Sequence, residues 1–386
     1  MWMQKLYSAR VRSALQQGLV LAIVAGVLYA LGHNASTNLQ ALHIASGFDF
    51  LSDRAGYDIT FRLIDYSPAD TYARAYWVGL LNTLLVSVIS IVLATLIGIV
   101  LGVGRVSQNW LVNRLSTAIV EFLRNVPLVV HLIWWYGLML ALPGVRQSIS
   151  LLDVAYLNNA GLQVPWPQQG ALMGWGVALM LLGAVLARLT FAWRERRAPW
   201  RGFGPRRWPW IVAAAVLLPL LVLGCGGASW HWDVPSRAGF GFKGGATLVP
   251  ELLALWLALS FYSSSYIAET VRGAIQAVHR GQYEAAQALG FSRGTSMRQL
   301  IAPQALYTMI PQITNTYVNI VKNSSLGVVV GFMELVSSTG GTTLNQTGQA
   351  IECIALVMAT YCVISLAISL MMNLYNHRIS QRGHRS

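Results

Sequence analysis

Between Trp77 and Arg105 the chain carries no charged residue. At about 1.5 Å per residue, a helix over residues 78–104 crosses a bilayer with room for tilt. Gly98 and Gly102 stand four apart on it and make a small-xxx-small face for a close helix neighbour. Further apolar runs occupy residues 17–33, 122–142, 171–193, 208–227, 247–275, 313–336 and 351–374. Composition agrees: 11% of the residues are charged, against about 25% in soluble domains. The expected fold is an all-α integral membrane protein with about eight transmembrane helices. Residues 17–33 are short for the ~20 residues a span needs. No small-x-small cleavage site follows them before His33-Asn34, so they read as a retained helix, not a signal peptide. Pro127 marks where the third run would kink or begin.

Eight crossings put both termini on one side, and charge tests which side. With the termini in the cytoplasm, all but six of the 27 Lys and Arg residues fall inside, as the positive-inside rule requires. The six are Arg54, Arg62, Arg74, Arg146, Arg237 and Lys243; Lys322 is counted with the inner set. The strongest signal is the arginine cluster from Arg188 to Arg207, read as an anchor to anionic lipid and not as a nucleic-acid site. Cys225, Cys353 and Cys362 lie in apolar runs without metal-ligand spacing, and no metal is expected. Residues 34–76 form an outer loop with five Asp, three Arg and interleaved Phe48, Phe50, Leu51, Phe61 and Ile64, which suggests short packed turns. Residues 143–169, 228–246 and 337–350 read as loops.

One polar island stands out among the runs. Residues 281–289 read as a short helix, with Ala285, Ala286 and Leu289 at spacings that share a face. Gly290 sits where a helix end favours positive φ. Ser292 or Thr295 can cap a second short helix through Leu300, and Pro303 restarts the chain into the next span. Periodicity leaves two readings open: a knob for a groove on a partner, or an interfacial helix with none. The chain has no GxxxxGK[ST] stretch, so it does not cradle nucleotide phosphates in the usual way.

Glu284, Ala285, Ala286, Gly290, Leu300 and Pro303 resemble the cytoplasmic EAA loop of ABC-importer permease subunits; Ala302 stands where that pattern usually has Leu. Residues 266–275 running into Gly281-Gln282, residues 79–84, residues 121–128 and residues 322–326 are similar to segments of polar amino-acid permeases. The long outer loop and the extra spans resemble the larger Q-type permease of general L-amino-acid importers. The resemblance implies a MetI-like type-1 permease domain over residues 78–374. Spans 171–193 and 208–227 are then an insertion, residues 1–77 an N-terminal helix with its outer loop, and residues 375–386 a cytoplasmic tail. It further implies an amino-acid importer of the bacterial inner membrane with no catalysis and no cofactor of its own, ATP being used by partner subunits. Those partners are a cytoplasmic ATPase dimer, a second homologous permease and a periplasmic amino-acid-binding protein. Glu269 and Arg272 are expected to orient the loop. Asn82, Thr83, Asn323, Ser324, Ser325 and Glu334 are candidates to line the pathway, though Glu334, like Glu352, reads more simply as an interfacial acid reaching water. The rival class, an ion-coupled secondary transporter, would need paired midplane acids or broken helices in two matching halves; no such repeat is present.

Overall fold

In the computed structural model, residues 9–41, 47–152, 154–167, 232–238 and 241–383 are described. The expected spans 171–193 and 208–227 lie outside them. Helix α1 (Ala9–Ala41) is 33 residues long and continues on both sides of its apolar segment, Gln16–Asn34, which has 19 residues. Helix α2 (Tyr72–Arg105) opens with the Thr71 side chain accepting from the Arg74 N–H, a standard N-cap. Helices α3 (Trp110–Asn125) and α4 (Leu128–Leu140) meet at 101°. The expected span over 122–142 is therefore the second half of a bent pair, with the bend at Pro127 as expected. Pro127 has no N–H and disfavours helix in the residue before it; Val126 accordingly takes φ −94 and ψ 127. Among the described residues, α1, α2 and the last helix are long and apolar enough to cross a membrane, and the bent pair makes a fourth candidate.

Residues 134–254 form a compact unit by themselves. What reads as loops in the sequence folds there into small antiparallel sheets. Strands β1 (Ile149–Leu151), β2 (Ala155–Asn158) and β3 (Gly161–Val164) form a meander. Strand β4 (Trp166–Pro167) pairs with β5 (Trp232–Asp233), with Pro167 opposite Trp232. Strands β6 (Ser236–Ala238) and β7 (Gly241–Lys243) make a hairpin, and β8 (Ala246–Leu248) returns to pair with β3. Thr247 donates to Gln163 Oε1 across that last pair.

The other unit comprises residues 1–133 and 255–386. Helix α5 (Pro250–Gln276) matches the sixth expected span. Its polar stretch is satisfied locally: Ser260, Ser264, Ser265 and Thr270 each donate to a carbonyl three or four residues back, as hydroxyls in lipid-buried helices do. Gly98 and Gly102 of α2 pack against this helix. A Cβ on Gly98 would lie 2.6 Å from Ile267 Cβ, and one on Gly102 2.6 Å from Val271 Cβ. The small-xxx-small face is a real seam.

After α6 (Arg280–Ala288) and α7 (Arg293–Ser296) come a π-helical turn (Met297–Ile301) and α8 (Ala302–Asn323). The expected seventh span at 313–336 is thus displaced and broken. Helix α8 ends at Asn323, a 3-10 stretch covers Ser324–Val330, and Gly331 at φ 81 stops it. Phe332 N–H then bonds Gly327 O, and Gly331 N–H bonds Val328 O, a Schellman closure. Lys322 stands at the end of α8 remote from α6, so its place in the inner charge set is wrong: a helix from Ala302 carries it about 30 Å away. Residues 337–350 are not a loop but largely helical, with a π-helix (Val336–Thr343) and α9 (Leu344–Thr347). Helix α10 (Ala350–Gly383) runs on through most of the expected tail and packs along α8. The outer loop packs as expected: Phe50, Ala55, Ile59 and Tyr66 form one core with Tyr72, Ala75, Val78 and Cys353.

Candidate functional site

The polar island folds into two helices with a glycine corner. His279 Nδ1 accepts from Gly281 N–H at 3.1 Å and caps α6. Its other end closes with Phe291 N–H on Ala286 O at 3.0 Å and Gly290 N–H on Gln287 O at 2.9 Å. Gly290 sits at φ 73, the left-handed conformation this closure needs. Ser292, not Thr295, caps the next helix, accepting from the Thr295 N–H. That helix does not stop at Leu300. It continues through the π turn into α8, where Pro303 occupies the first turn, a place that needs no N–H.

The shared face expected of Ala285, Ala286 and Leu289 divides in two. Ala286 is buried, while Glu284, Ala285, Ala288 and Leu289 are exposed. The buried side is held by Tyr283, whose hydroxyl donates to Ile275 O at 3.2 Å. Tyr283, Met297 and Leu300 pack on a core that includes Ile275, Val278, Ile301 and Ala305. Burial raises the Tyr283 hydroxyl above the usual tyrosine range. The exposed side, an acid set among alanines with Leu289 73% exposed, has no partner surface within the described residues.

Glu269 and Arg272 do pair, and the pair is part of something larger. Arg272 reaches both Glu269 oxygens. Arg105, at the end of α2, donates to Glu269 Oε2 at 2.5 Å, and Arg124, near the end of α3, lies 3.7 Å from the same oxygen. Arg105 also meets Glu121 at 3.5 Å, and Arg124 stacks over the Tyr266 ring. One carboxylate therefore ties α2, α3 and α5 together about two turns before α5 ends at Gln276. Sequence reasoning missed Arg105, Arg124 and Glu121 as its partners. The signal available was that Arg105 ends the uncharged run and that Glu121 and Arg124 lie in one of the family-like segments.

The pathway candidates gather at the opposite end of α2, with one reversal. Glu334 is fully buried, not an acid reaching water. Its Oε2 accepts from Val336 N–H at 2.8 Å and its Oε1 from Ser337 N–H at 2.8 Å, so it caps the helical turn that follows. Tyr361 of α10 donates to Oε2 as well, and three hydrogen bonds make burial of the group tolerable. Thr83 Oγ1 accepts from Leu335 N–H. Asn82 donates to Phe61 O and Met333 O at 2.8 and 2.9 Å. Ser324 lies 3.5 Å from the Tyr361 hydroxyl. Ser325 turns back to Lys322 O, and Asn323 ends α8; neither joins this group. Glu352 is half-buried and accepts from Gly47 N–H.

A family model described as "binding-protein-dependent transport system inner membrane component" matches residues 203–382. The putative amino-acid ABC transporter permease YhdX of Escherichia coli is 47% identical over 96% of this chain and 94% of that protein. The general L-amino acid transport system permease AapQ of Rhizobium johnstonii is 42% identical over 97% and 94%. BztB of Rhodobacter capsulatus, a glutamate/glutamine/aspartate/asparagine transport system permease, is 38% identical over 97% and 95%. The chain belongs to the amino-acid ABC transporter permeases, non-catalytic membrane subunits of the inner membrane.

Proposed function

We infer that this chain carries amino acids through the inner membrane as one permease of an importer whose ATP is consumed by a separate cytoplasmic ATPase dimer. A second, homologous permease and a periplasmic amino-acid-binding protein complete the assembly, and both termini lie in the cytoplasm. The observation that carries the reading is the exposed Glu284-Ala285-Ala288-Leu289 side of α6. Its small side chains admit a partner groove, and its buried side is fixed to α5 and α8, so a push on α6 reaches the membrane helices directly. The permease core comprises α2, α3–α4, α5, α8 and α10; α1 and the stretch between β4 and β5 are additions. Asn82, Thr83 and Glu334 hold the outer turn against α2, so their role is to shape the pathway's outer end.

Glu284→Lys reverses the charge at the centre of the docking side, and Gly290→Pro cannot adopt the required φ. Both variants are expected to insert normally, lose amino-acid uptake, and lose the ATPase on purification. Copurification of the ATPase with full uptake in both variants would refute the assignment of the docking side.

A further inference from the structure

Behind α6, on the side away from the proposed ATPase contact, lies a cavity of about 540 Å³. One wall is the turn between α2 and α3, which supplies Arg105 and Asn113. The other is the coupling segment, which supplies Tyr283, Gln287, Arg293 and Ser296. No Asp or Glu lines it. Arg105 is 9% exposed at its side chain. Both its terminal nitrogens are engaged by Glu269 and Glu121, but its buried Nε–H has no acceptor. That N–H lies within the wall, and the guanidinium adds positive charge behind the lining. Arg293 forms no ion pair among the described residues and adds a second cation. Amide and hydroxyl groups of Asn113, Gln287 and Ser296 complete a polar, positively biased lining, while Ile275 and Met297 give it an apolar end.

We propose that this cavity is a binding site for a small polar carboxylate, a free amino acid of the cytoplasm, held by Arg293 and the Arg105 wall. The choice of an amino acid rests on the importer reading above; the anionic chemistry does not. The partner ATPase is not the occupant, because the cavity lies on the inward side of α6 and the exposed side faces elsewhere. A ligand here bridges the α2–α3 turn and α6, so it resists relative movement of the coupling helix and slows uptake when the cytoplasmic amino-acid level is high.

The test uses the full assembly of both permeases and the ATPase dimer reconstituted in lipid vesicles, with the binding protein supplied outside for uptake and left out for equilibrium binding. Radiolabelled L-glutamine, L-glutamate, L-leucine and L-arginine are each bound at equilibrium to the wild type, Arg293→Gln and Asn113→Asp. The matched carboxamide of each and inorganic phosphate serve as competitors. At least one amino acid should bind the wild type in competition with neither its carboxamide nor phosphate. That binding should weaken at least tenfold in Arg293→Gln, by loss of charge, and in Asn113→Asp, by repulsion of the carboxylate. Preloading vesicles with the same amino acid should slow wild-type uptake and leave each variant at its own unloaded rate. Undiminished binding in both variants, equal competition by the carboxamide, or displacement by phosphate alone would overturn the proposal. Uptake by empty wild-type vesicles separates the two readings. If no amino acid is taken up, the importer reading fails; if uptake is normal but binding ignores Arg293, only this inference fails.

Discussion

Gly98 and Gly102 allow a direct test of the α2–α5 seam. An ideal Cβ on Gly98 lies 2.6 Å from Ile267 Cβ and 2.9 Å from the Ser264 carbonyl oxygen; on Gly102 it lies 2.6 Å from Val271 Cβ and 2.8 Å from the Ala268 carbonyl. Carbon atoms rest about 3.5–4.0 Å apart, so each added methyl must push the helices apart by roughly 1 Å. Overpacking of that kind costs about 1–3 kcal/mol per site. The two sites share one seam, so the double variant should lose more than either single one and less than their sum. Gly26 of α1 is the internal control, since a Cβ there meets nothing within 4 Å. Gly26→Ala should be neutral or gain up to about 1 kcal/mol from helix propensity. The measurement is the temperature at which the detergent-purified chain loses monodisperse elution. Ile267→Ala added to Gly98→Ala should not restore the loss, because the 2.6 Å contact is to Ile267 Cβ, which alanine keeps, and truncating this buried side chain itself costs about 2–5 kcal/mol. If Gly98→Ala and Gly102→Ala melt with Gly26→Ala, the seam is not packed as described.

Glu269→Gln should destabilise by about 2–4 kcal/mol, because it strands a nearly buried Arg105, while Glu121→Gln, at a half-exposed carboxylate, should cost under about 1 kcal/mol; equal melts for the two would refute the ranking. Gly290→Ala forces a side chain into the left-handed region at about 1–2 kcal/mol, and should speed amide exchange across residues 280–291 and leave α2 unchanged. Thr83→Val removes the acceptor of the buried Leu335 N–H and should cost about 1–3 kcal/mol, with Thr83→Ser close to wild type in the same melt.

The helices that face lipid were legible because an uncharged run such as residues 78–104 has one stable form in a membrane. The glycine corner at Gly290 and the cap at Ser292 were legible because each needs a residue type that few others replace. What escaped the sequence depends on contacts distant in the chain. Glu334 reads as an interfacial acid until three donors from two elements surround it. Ala286 reads as sharing a face with Ala285 until Tyr283 shows which side of the short helix is held. The break after Asn323 lies inside an apolar run whose periodicity does not reveal it, and Lys322 was misplaced with it. The small strands of residues 149–164 and 241–248 are three or four residues each, too short for alternation to stand out.

Those strands bear on how the chain enters the membrane. Strand β3 ends at Val164 and its partner β8 begins at Ala246, with β4 and β5 pairing between them. Hydrogen bonds of this kind form only between segments on the same side of a bilayer. The ladders therefore hold residues 149–167 and 232–248 in one compartment. Because α5 starts at Pro250, directly after β8, these short strands also fix where that helix begins.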